Sequence, residues 1–258
     1  MVDIHSHILP GLDDGARTME ESFEMVKLAA ANGSTDLVAT PHASARFAFD
    51  EVRVEEAFRG LSALSKEFIT LHRGCDCHLN FDNWQDALAH PTKYTINGSR
   101  YLLVELPDLL GLAIVREQLQ TLMHARICPI ITHPERNFFL QSNTDHLKQW
   151  VQDGCLVQVT GQSFFGRFGS TARKVVEALM DSDMVHFVAS DAHDCVERPP
   201  DLSQAYELVR ARWSEERARR LFIENPAAAI NDEPIVHIRR SKLLSFFSFG
   251  TKSRFAVR

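Results

Sequence analysis

Histidines and acidic residues recur along this chain in a pattern typical of metal ligands. The 258 residues include twelve histidines, and five of these come directly after short apolar runs, as several carboxylates also do. Imidazole and carboxylate groups together suit hard or borderline divalent cations such as Zn, Mn or Fe, and no thiolate in the set favours a soft ion. The candidate ligands are His5, His7, Asp14, His42, Asp76, Glu105, His133, Asp191 and His193.

The size of this set indicates more than one ion. Five histidines and four carboxylates exceed what one ion can bind, so we predict two or three ions. Ions ~3.5–4 Å apart commonly serve in the cleavage of phosphate esters. Each motif alone is weak, since a lone His5-x-His7 pair is usually incidental and Asp13-Asp14-Gly15 usually forms a turn. Their joint occurrence after successive apolar runs favours the metal site.

Two arginines lie close to these ligands in sequence. Arg136 ends the segment that begins at His133, and Arg198 comes five residues after His193. The planar guanidinium group binds phosphate oxygens through two donors at once, so we predict phosphate binding for both. The alternative is a salt bridge to a ligand carboxylate or to Glu135.

Other phosphatase and hydrolase chemistries lack their residues here. A cysteine-dependent phosphatase needs an arginine six positions after the cysteine. The residues at those positions are Phe81, Asn83, Pro134, Gly161 and Asp201. The sequence also lacks a Walker phosphate loop and a Gly-x-Ser-x-Gly nucleophile motif. The pattern therefore favours metal-assisted chemistry.

Seven apolar runs predict the strands that must position these ligands. They are rich in Val, Ile and Leu, as parallel strands covered on both faces should be. The predicted strands cover residues 2–4, 36–40, 69–73, 101–105, 129–132, 156–160 and 185–190. Each candidate ligand follows or ends such a run or lies in the adjoining loop, and the carboxyl ends of barrel strands open on one face. We therefore expect the ligands to converge.

Helix-period segments fill the gaps between these strands. Thr18 and Glu21 form a capping-box pattern for a helix that ends near Gly33, and further helices are predicted at about 54–68, 112–126, 144–153, 170–181, 203–213 and 214–224. This alternation predicts an α/β fold, and seven units favour a barrel. A doubly wound open sheet is the alternative.

Charge divides the chain into an acidic body and a basic end. Residues 237–258 hold six basic residues and no acidic one, which leaves 22 basic and 34 acidic residues in the body. We predict one domain over residues 1–236 and a basic, aromatic tail over 237–258. The acidic body argues against nucleic-acid binding, whereas the tail could contact a membrane surface or another subunit, or remain a solvated terminus.

The remaining composition predicts a cytoplasmic protein. No apolar run approaches the ~18 residues of a membrane span, and the N-terminus does not have the pattern of a signal peptide. Five scattered cysteines, an odd number, favour reduced thiols over a disulfide framework.

Taken together, the motifs resemble the polymerase-and-histidinol-phosphatase (PHP) superfamily, and within it the bacterial protein-tyrosine phosphatases of capsule and exopolysaccharide loci. The matching stretches are DIHSHILPGLDDG at 3–15, ATPH at 39–42, LVELP at 103–107, THPER at 132–136, GQSFFGRFG at 161–169 and ASDAH at 189–193. The resemblance extends to about Pro226 and implies a distorted (β/α)7 barrel with a trinuclear metal site.

The resemblance also implies roles for individual residues. All of the candidate ligands above except Asp76 match its metal site, and Arg136 and Arg198 match its phosphate-binding arginines. At position 76 the chain departs from the family, which usually has a glutamate in a Gly-x-Glu context, whereas this sequence reads Gly74-Cys75-Asp76. Asp13 or a metal-bound water could supply a proton to the leaving group.

The function implied is that of a metal-dependent phosphomonoesterase. The expected substrate is the phosphotyrosine-bearing tail of a bacterial tyrosine autokinase that controls exopolysaccharide or capsule synthesis, and the expected cofactors are two or three divalent ions, with Mn first and Fe, Zn or Co as alternatives. Two other functions stay open. One is a histidinol-phosphate or nucleotide phosphoesterase of the same superfamily, and the other is a regulator that binds phosphopeptide without cleaving it.

Overall fold

Short parallel strands carry the apolar runs of the sequence. The structure is a computed structural model that describes residues 1–107 and 111–235. Within these ranges the strands are β1 Val2–Ser6, β2 Asp36–Ala39, β3 His42–Ala43, β4 Thr70–Arg73, β5 Asp76–His78, β6 Tyr101–Glu105, β7 Cys128–Thr132, β8 Leu156–Thr160 and β9 Phe187–Ala189. One sheet has the order β1-β2-β4 and the other β3-β5-β6-β7-β8-β9. The predicted α/β class with parallel strands is confirmed.

Two interruptions divide the strands between the sheets. Pro41 separates β2 from β3, and because proline has no N–H it cannot donate to a ladder at that point. Gly74 and Cys75 separate β4 from β5. A Cβ atom on Gly74 would lie 2.9 Å from Val38 Cγ1, so the close approach of the two neighbouring segments requires glycine there.

The two sheets meet between β1 and β9. Ser6 and Ala192 form an isolated parallel bridge. The N–H of Asp191 donates to the carbonyl of His5 at 2.9 Å, and the N–H of His7 donates to the carbonyl of Ala192 at 2.8 Å. The described pairing is therefore two parallel sheets in contact at one edge.

Helices follow most of the strands. They are α1 Met19–Ala31, α2 Glu51–Ser65, α3 Phe81–Ala89, α4 Pro91–Tyr94, α5 Leu112–His124, α6 Phe138–Ser142, α7 Thr144–Asp153, α8 Gly169–Asp181, α9 Ser203–Arg212, α10 Glu215–Arg219 and α11 Asn225–Ile230. Thr18 caps α1 by accepting the N–H of Glu21, as the capping-box pattern predicts. The helix predicted at 214–224 is divided into α10 and a π-helical turn, Arg220–Glu224.

Apolar burial fixes the strands from which the candidate ligands project. All five residues of β1 and all five of β8 are buried. Leu119 of α5, Leu147 of α7 and Val176 of α8 pack in the largest core cluster. Full burial of one such side chain stabilises the fold by about 1.5–3 kcal/mol, so the ends of the strands are held on a rigid base.

The last described residues lie at the end of the sheet away from Glu105. Arg100, just before β6, donates from Nε to Asp232 at 2.8 Å, and the hydroxyl of Tyr101 donates to the carbonyl of Glu233 at 2.6 Å. The predicted tail, 237–258, is outside the described residues. Among the described helices, none is long and apolar enough to cross a membrane.

Candidate metal centre

The nine predicted ligands converge at the carboxyl ends of the strands. Seven of them make three groups whose ligand atoms lie within 4.8 Å of one another. The groups are His7, Asp14, His42 and His193; His5, His7 and Asp76; and His42, Asp76 and Glu105. Since His7, His42 and Asp76 each belong to two groups, the groups are contiguous.

Asp76 lies between two of the histidines at the buried end of the cluster. Its Oδ2 is 3.1 Å from Nδ1 of His42 and 3.6 Å from Nε2 of His5, and its side chain is fully buried. Neither Asp76 Oδ2 nor His42 Nδ1 has a partner in hydrogen-bonding geometry. Buried polar atoms are normally satisfied, so these two fit the need of a bound cation for electron-pair donors.

Asp191 joins the remaining part of the cluster. Its Oδ1 is 3.5 Å from Nε2 of His5, 3.4 Å from Nε2 of His7 and 3.7 Å from Nδ1 of His193. The residue directly follows Ser190, just after β9, with φ of 52°. This left-handed conformation, uncommon for residues other than glycine, turns the chain at the end of the strand.

His133 and Glu105 complete the set from neighbouring strands. Nε2 of His133 is 3.9 Å from Oε1 of Glu105, and the ring centroids of His133 and His5 are 5.7 Å apart. Like Asp191, His133 follows its strand with a positive φ, here 32°. Burial and the charge of Arg136 hold the pKa of His133 well below its usual value, so its imidazole is neutral and able to bind a metal.

The carboxylates create an environment that attracts positive charge. Burial alone would lower the pKa of His5, but Asp76 and Asp191 outweigh it and raise the pKa to about 9. The same balance, with Asp76 and Glu105 as the main neighbours, raises the pKa of His42 to about 9. Burial and the charge of Asp76 raise the pKa of Glu105 to about 7. Carboxylates crowded at this density fit divalent cations.

Two residues fix the orientation of the first two histidines. Oε1 of Gln158 is 3.0 Å from Nδ1 of His5, and Oδ2 of Asp13 is 2.7 Å from Nδ1 of His7. Each contact engages one ring nitrogen and leaves Nε2 directed at the cluster, which is how histidine ligands are commonly oriented. Gln158 is absent from the sequence-based set, although one amide within the apolar run of β8 is a signal that could have identified it.

Asp13 is placed as a hydrogen-bond acceptor. Its carboxylate also accepts the N–H of Gly15 at 2.9 Å and the N–H of His42 at 3.0 Å. Burial opposes ionisation, but His7 and these donors hold the pKa of Asp13 below its usual value. A Cβ on Gly15 would lie 2.0 Å from the carbonyl oxygen of His7, so glycine is required where this loop packs on the histidine.

Arg136 and Arg198 both contact Oδ2 of Asp191, the carboxylate oxygen that the three histidines do not approach. Each guanidinium donates to Asp191 Oδ2, and both stay partly exposed, at 25% and 21% of their side-chain surface. Asp194 shapes the loop before Arg198 by accepting the N–H groups of Val196, Glu197 and Arg198. The salt bridge to a ligand carboxylate, the predicted alternative for these arginines, is thus present together with access to solvent.

Glu135 connects the arginine loop to the loop after β8. Its fully buried carboxylate accepts the N–H of Thr160 at 2.9 Å and the hydroxyl of Ser163 at 2.7 Å. Glu135 therefore does not form the salt bridge with Arg136 or Arg198 that the sequence analysis gave as an alternative. Its position beside Arg136 in the sequence gives no sign of this role, because the partners come from a segment 25–28 residues away.

The arrangement combines a multivalent cation site with two cationic donors at its rim. Imidazole and carboxylate ligands suit divalent metal ions. Guanidinium groups beside such ions can bind and neutralise phosphoryl oxygens. The site is therefore equipped for metal-assisted phosphate chemistry.

Comparison with known proteins gives relatives along almost the whole chain. CapC of Staphylococcus aureus is 36% identical over 241 residues, which cover 91% of this chain and 93% of that protein. The tyrosine-protein phosphatase YwqE of Bacillus subtilis is 31% identical, covering 96% of this chain and 100% of its own length. The tyrosine-protein phosphatase CpsB of Streptococcus pneumoniae is 29% identical and covers 91% and 100%.

Solved structures agree with the sequence relatives. A chain from the work on YwqE of B. subtilis and CpsB of S. pneumoniae, described as unique metal-dependent tyrosine phosphatases, superposes with a TM-score of 0.84 at 28% identity, covering 92% of this chain and 96% of the other. The family model for capsular polysaccharide synthesis proteins, CpsB/CapC, matches residues 1–231. This chain therefore belongs to the CpsB/CapC family.

Proposed function

We propose that this protein is a metal-dependent protein-tyrosine phosphatase that hydrolyses phosphate monoesters. The observation that carries the proposal is the convergence of nine candidate ligand side chains with two partly exposed arginines at one end of the strands. The relatives named as tyrosine-protein phosphatases support the substrate class. Release of phosphate from phosphotyrosine peptides by the metal-loaded protein tests it.

The nine residues would hold two to three divalent ions, with Mn as the first choice and Fe, Zn or Co as alternatives. Asp76 and His42, each with a buried atom that lacks a hydrogen bond, would be among their ligands. Bound there, such ions supply a nucleophilic water at neutral pH and neutralise charge on the phosphoryl group. Gln158 and Asp13 keep His5 and His7 turned toward the ions.

The two arginines would bind the phosphoryl oxygens of the substrate. In this role a phosphate oxygen takes the place that Oδ2 of Asp191 occupies against both guanidiniums. Asp13 orients His7 through the 2.7 Å contact between its Oδ2 and Nδ1 of His7, and a proton for the leaving group would come from Asp13 or from a metal-bound water. A tyrosine leaving group has a pKa of about 10, so it leaves with less protonation than an alkyl alcohol needs.

The fold that supports this site is, we infer, a distorted (β/α)7 barrel. In this description β2 with β3, and β4 with β5, are two bent strands, interrupted at Pro41 and at Gly74. The bridge between Ser6 and Ala192 would join the first and last strands of the seven. A barrel explains why ligands from opposite ends of the sequence share one face.

The proposed substrate is the phosphotyrosine-bearing tail of a bacterial tyrosine autokinase that controls capsule or exopolysaccharide synthesis. The family model's link to capsular polysaccharide synthesis supports this partner. We place the reaction in the cytoplasm, since all five cysteines are free thiols, in keeping with a reducing compartment. Parallel assays with phosphotyrosine peptide, histidinol phosphate and nucleotide monoesters would separate this substrate from those of other phosphoesterases.

Replacing either arginine should weaken catalysis without emptying the metal site. We expect Arg136→Ala and Arg198→Ala each to lower kcat/KM by about 10- to 100-fold, because each removes a charged donor to the phosphoryl group. Metal content, measured by elemental analysis, should equal that of the unaltered protein. Loss of metal in parallel with activity would instead assign the arginines to holding Asp191.

The tail at 237–258 is proposed as a docking element outside the phosphatase domain. The family model ends at residue 231, and every site residue precedes Pro199. Truncation after Val236 should therefore leave hydrolysis of a small aryl phosphate unchanged and weaken action on the intact, membrane-associated kinase. Loss of small-substrate turnover or of bound metal would show that the domain boundary is wrong.

A further inference from the structure

We propose that Phe168 is a positioning residue that holds Arg136 and Arg198 as one phosphate-binding pair. The centre of its ring lies 4.3 Å from Cζ of Arg136 and 5.7 Å from Cζ of Arg198. The three residues come from three different loops, after β7, β8 and β9. The inference rests on the proposed function for the role of the arginines and adds the residue that orients them.

Two guanidinium groups so close together need a compensating contact. Both donate to the same oxygen of Asp191, whose single negative charge offsets only part of the repulsion between the two cations. An aromatic face attracts a cation placed over it and stacks against the planar guanidinium. Phe168 therefore offsets the rest of this repulsion and holds both guanidinium groups beside one ring.

The loop that carries Phe168 is itself anchored by buried contacts. The turn Gly161–Phe165 that leads to Phe168 is fixed by the hydrogen bonds of Glu135 to Thr160 and Ser163. Since Glu135 directly precedes Arg136, the same short segment anchors both the arginine and the loop that bears the ring. Phe164 adds a buried apolar anchor, with 2% of its surface exposed.

Phe165 provides a matched control within the same loop. It is also a phenylalanine, but 49% of its surface is exposed, and among the described residues the cation–π contacts of both arginines are with Phe168 and not with Phe165. A change at position 165 tests the effect of altering the loop, whereas the same change at 168 also removes the stacking surface.

The experiment measures binding of inorganic phosphate to the manganese-loaded protein by calorimetry, together with kcat/KM for a phosphotyrosine peptide. Phe168→Leu should weaken phosphate binding and lower kcat/KM by about 5- to 30-fold, the range of a cation–π contact that is partly desolvated. Phe168→Tyr should keep both phosphate binding and kcat/KM near the values of the unaltered protein, because tyrosine retains the aromatic face. Phe165→Leu should also match the unaltered protein. Metal content should not change in any of the three.

A double-mutant cycle distinguishes positioning from general support of the loop. If Phe168 acts through the two arginines, then Phe168→Leu should have a smaller effect on phosphate binding in either the Arg136→Ala or the Arg198→Ala background, and little further effect when both arginines are replaced. Full additivity with both arginine variants, or equal losses in Phe165→Leu, would overturn the inference. Absence of peptide hydrolysis by the unaltered protein would contradict the proposed function alone, because phosphate binding still reports on Phe168.

Discussion

Removal of divalent metal should abolish phosphatase turnover. Protein treated with a strong chelator and then desalted should retain less than about one-thousandth of its activity, because without the ions the site lacks both an activated water and the charge that neutralises the phosphoryl group. Addition of Mn, Fe or Co should restore turnover in proportion to the metal bound. The measurement is phosphate release from a phosphotyrosine peptide alongside elemental analysis.

The matched control is alkylation of the thiols. Cys75, Cys77 and Cys155 are buried, and Cys128 and Cys195 are partly so, and none takes part in the cluster. Alkylation of the accessible thiols in the metal-loaded protein should therefore leave activity unchanged. Full activity in the metal-free protein, or its loss on replacing one cysteine by serine, would contradict metal-dependent hydrolysis.

Replacement of Asp76 should have the largest effect of any single carboxylate that we consider. Asp76→Ala should remove at least one ion and lower activity by about 100- to 1000-fold, because this side chain serves two of the three ligand groups. Asp76→Glu should retain both metal and activity, since the resembling superfamily has glutamate in this context. Metal content and kcat/KM together measure the two outcomes.

Asp82 supplies the comparison for this change. It is an exposed carboxylate at the start of α3, six residues from Asp76, and it belongs to none of the ligand groups. Asp82→Ala should match the unaltered protein in metal content and rate. If Asp76→Ala keeps its full complement of metal, Asp76 is not a ligand, and the lack of a hydrogen-bond partner at its Oδ2 would need another cause.

The strands, and the clustering of the candidate ligands at one end of them, could be predicted because both follow from local sequence patterns. The runs at 101–105 and 156–160 coincide with β6 and β8, since continuous burial demands apolar residues throughout. Parallel strands then bring their carboxyl ends to one side, so Glu105 and Asp191 could be expected near one another although they are 86 positions apart in the sequence. The direction of the strands was enough to predict that these residues share one face, without any side-chain geometry.

The structural features that could not be predicted depend on contacts between residues distant in sequence, or on very short strands. Strands β3 and β5 span two and three residues and carry His42 and Asp76, so their composition does not form an apolar run. The bond of Glu135 to Ser163 joins separate loops, and a single sequence holds no record of such a pairing. Stacking of Phe168 on two arginines is hidden for the same reason.

The left-handed backbone at His133 and Asp191 should make the stability of the protein depend on the metal available in the cell. Such conformations cost residues other than glycine about 1–2 kcal/mol each, and here two candidate ligands carry that cost. Metal that binds only the folded chain restores the lost stability. Scarcity of divalent ions should therefore lower the phosphatase capacity of the cell twice, first by emptying the site and then by leaving a less stable protein open to proteolysis.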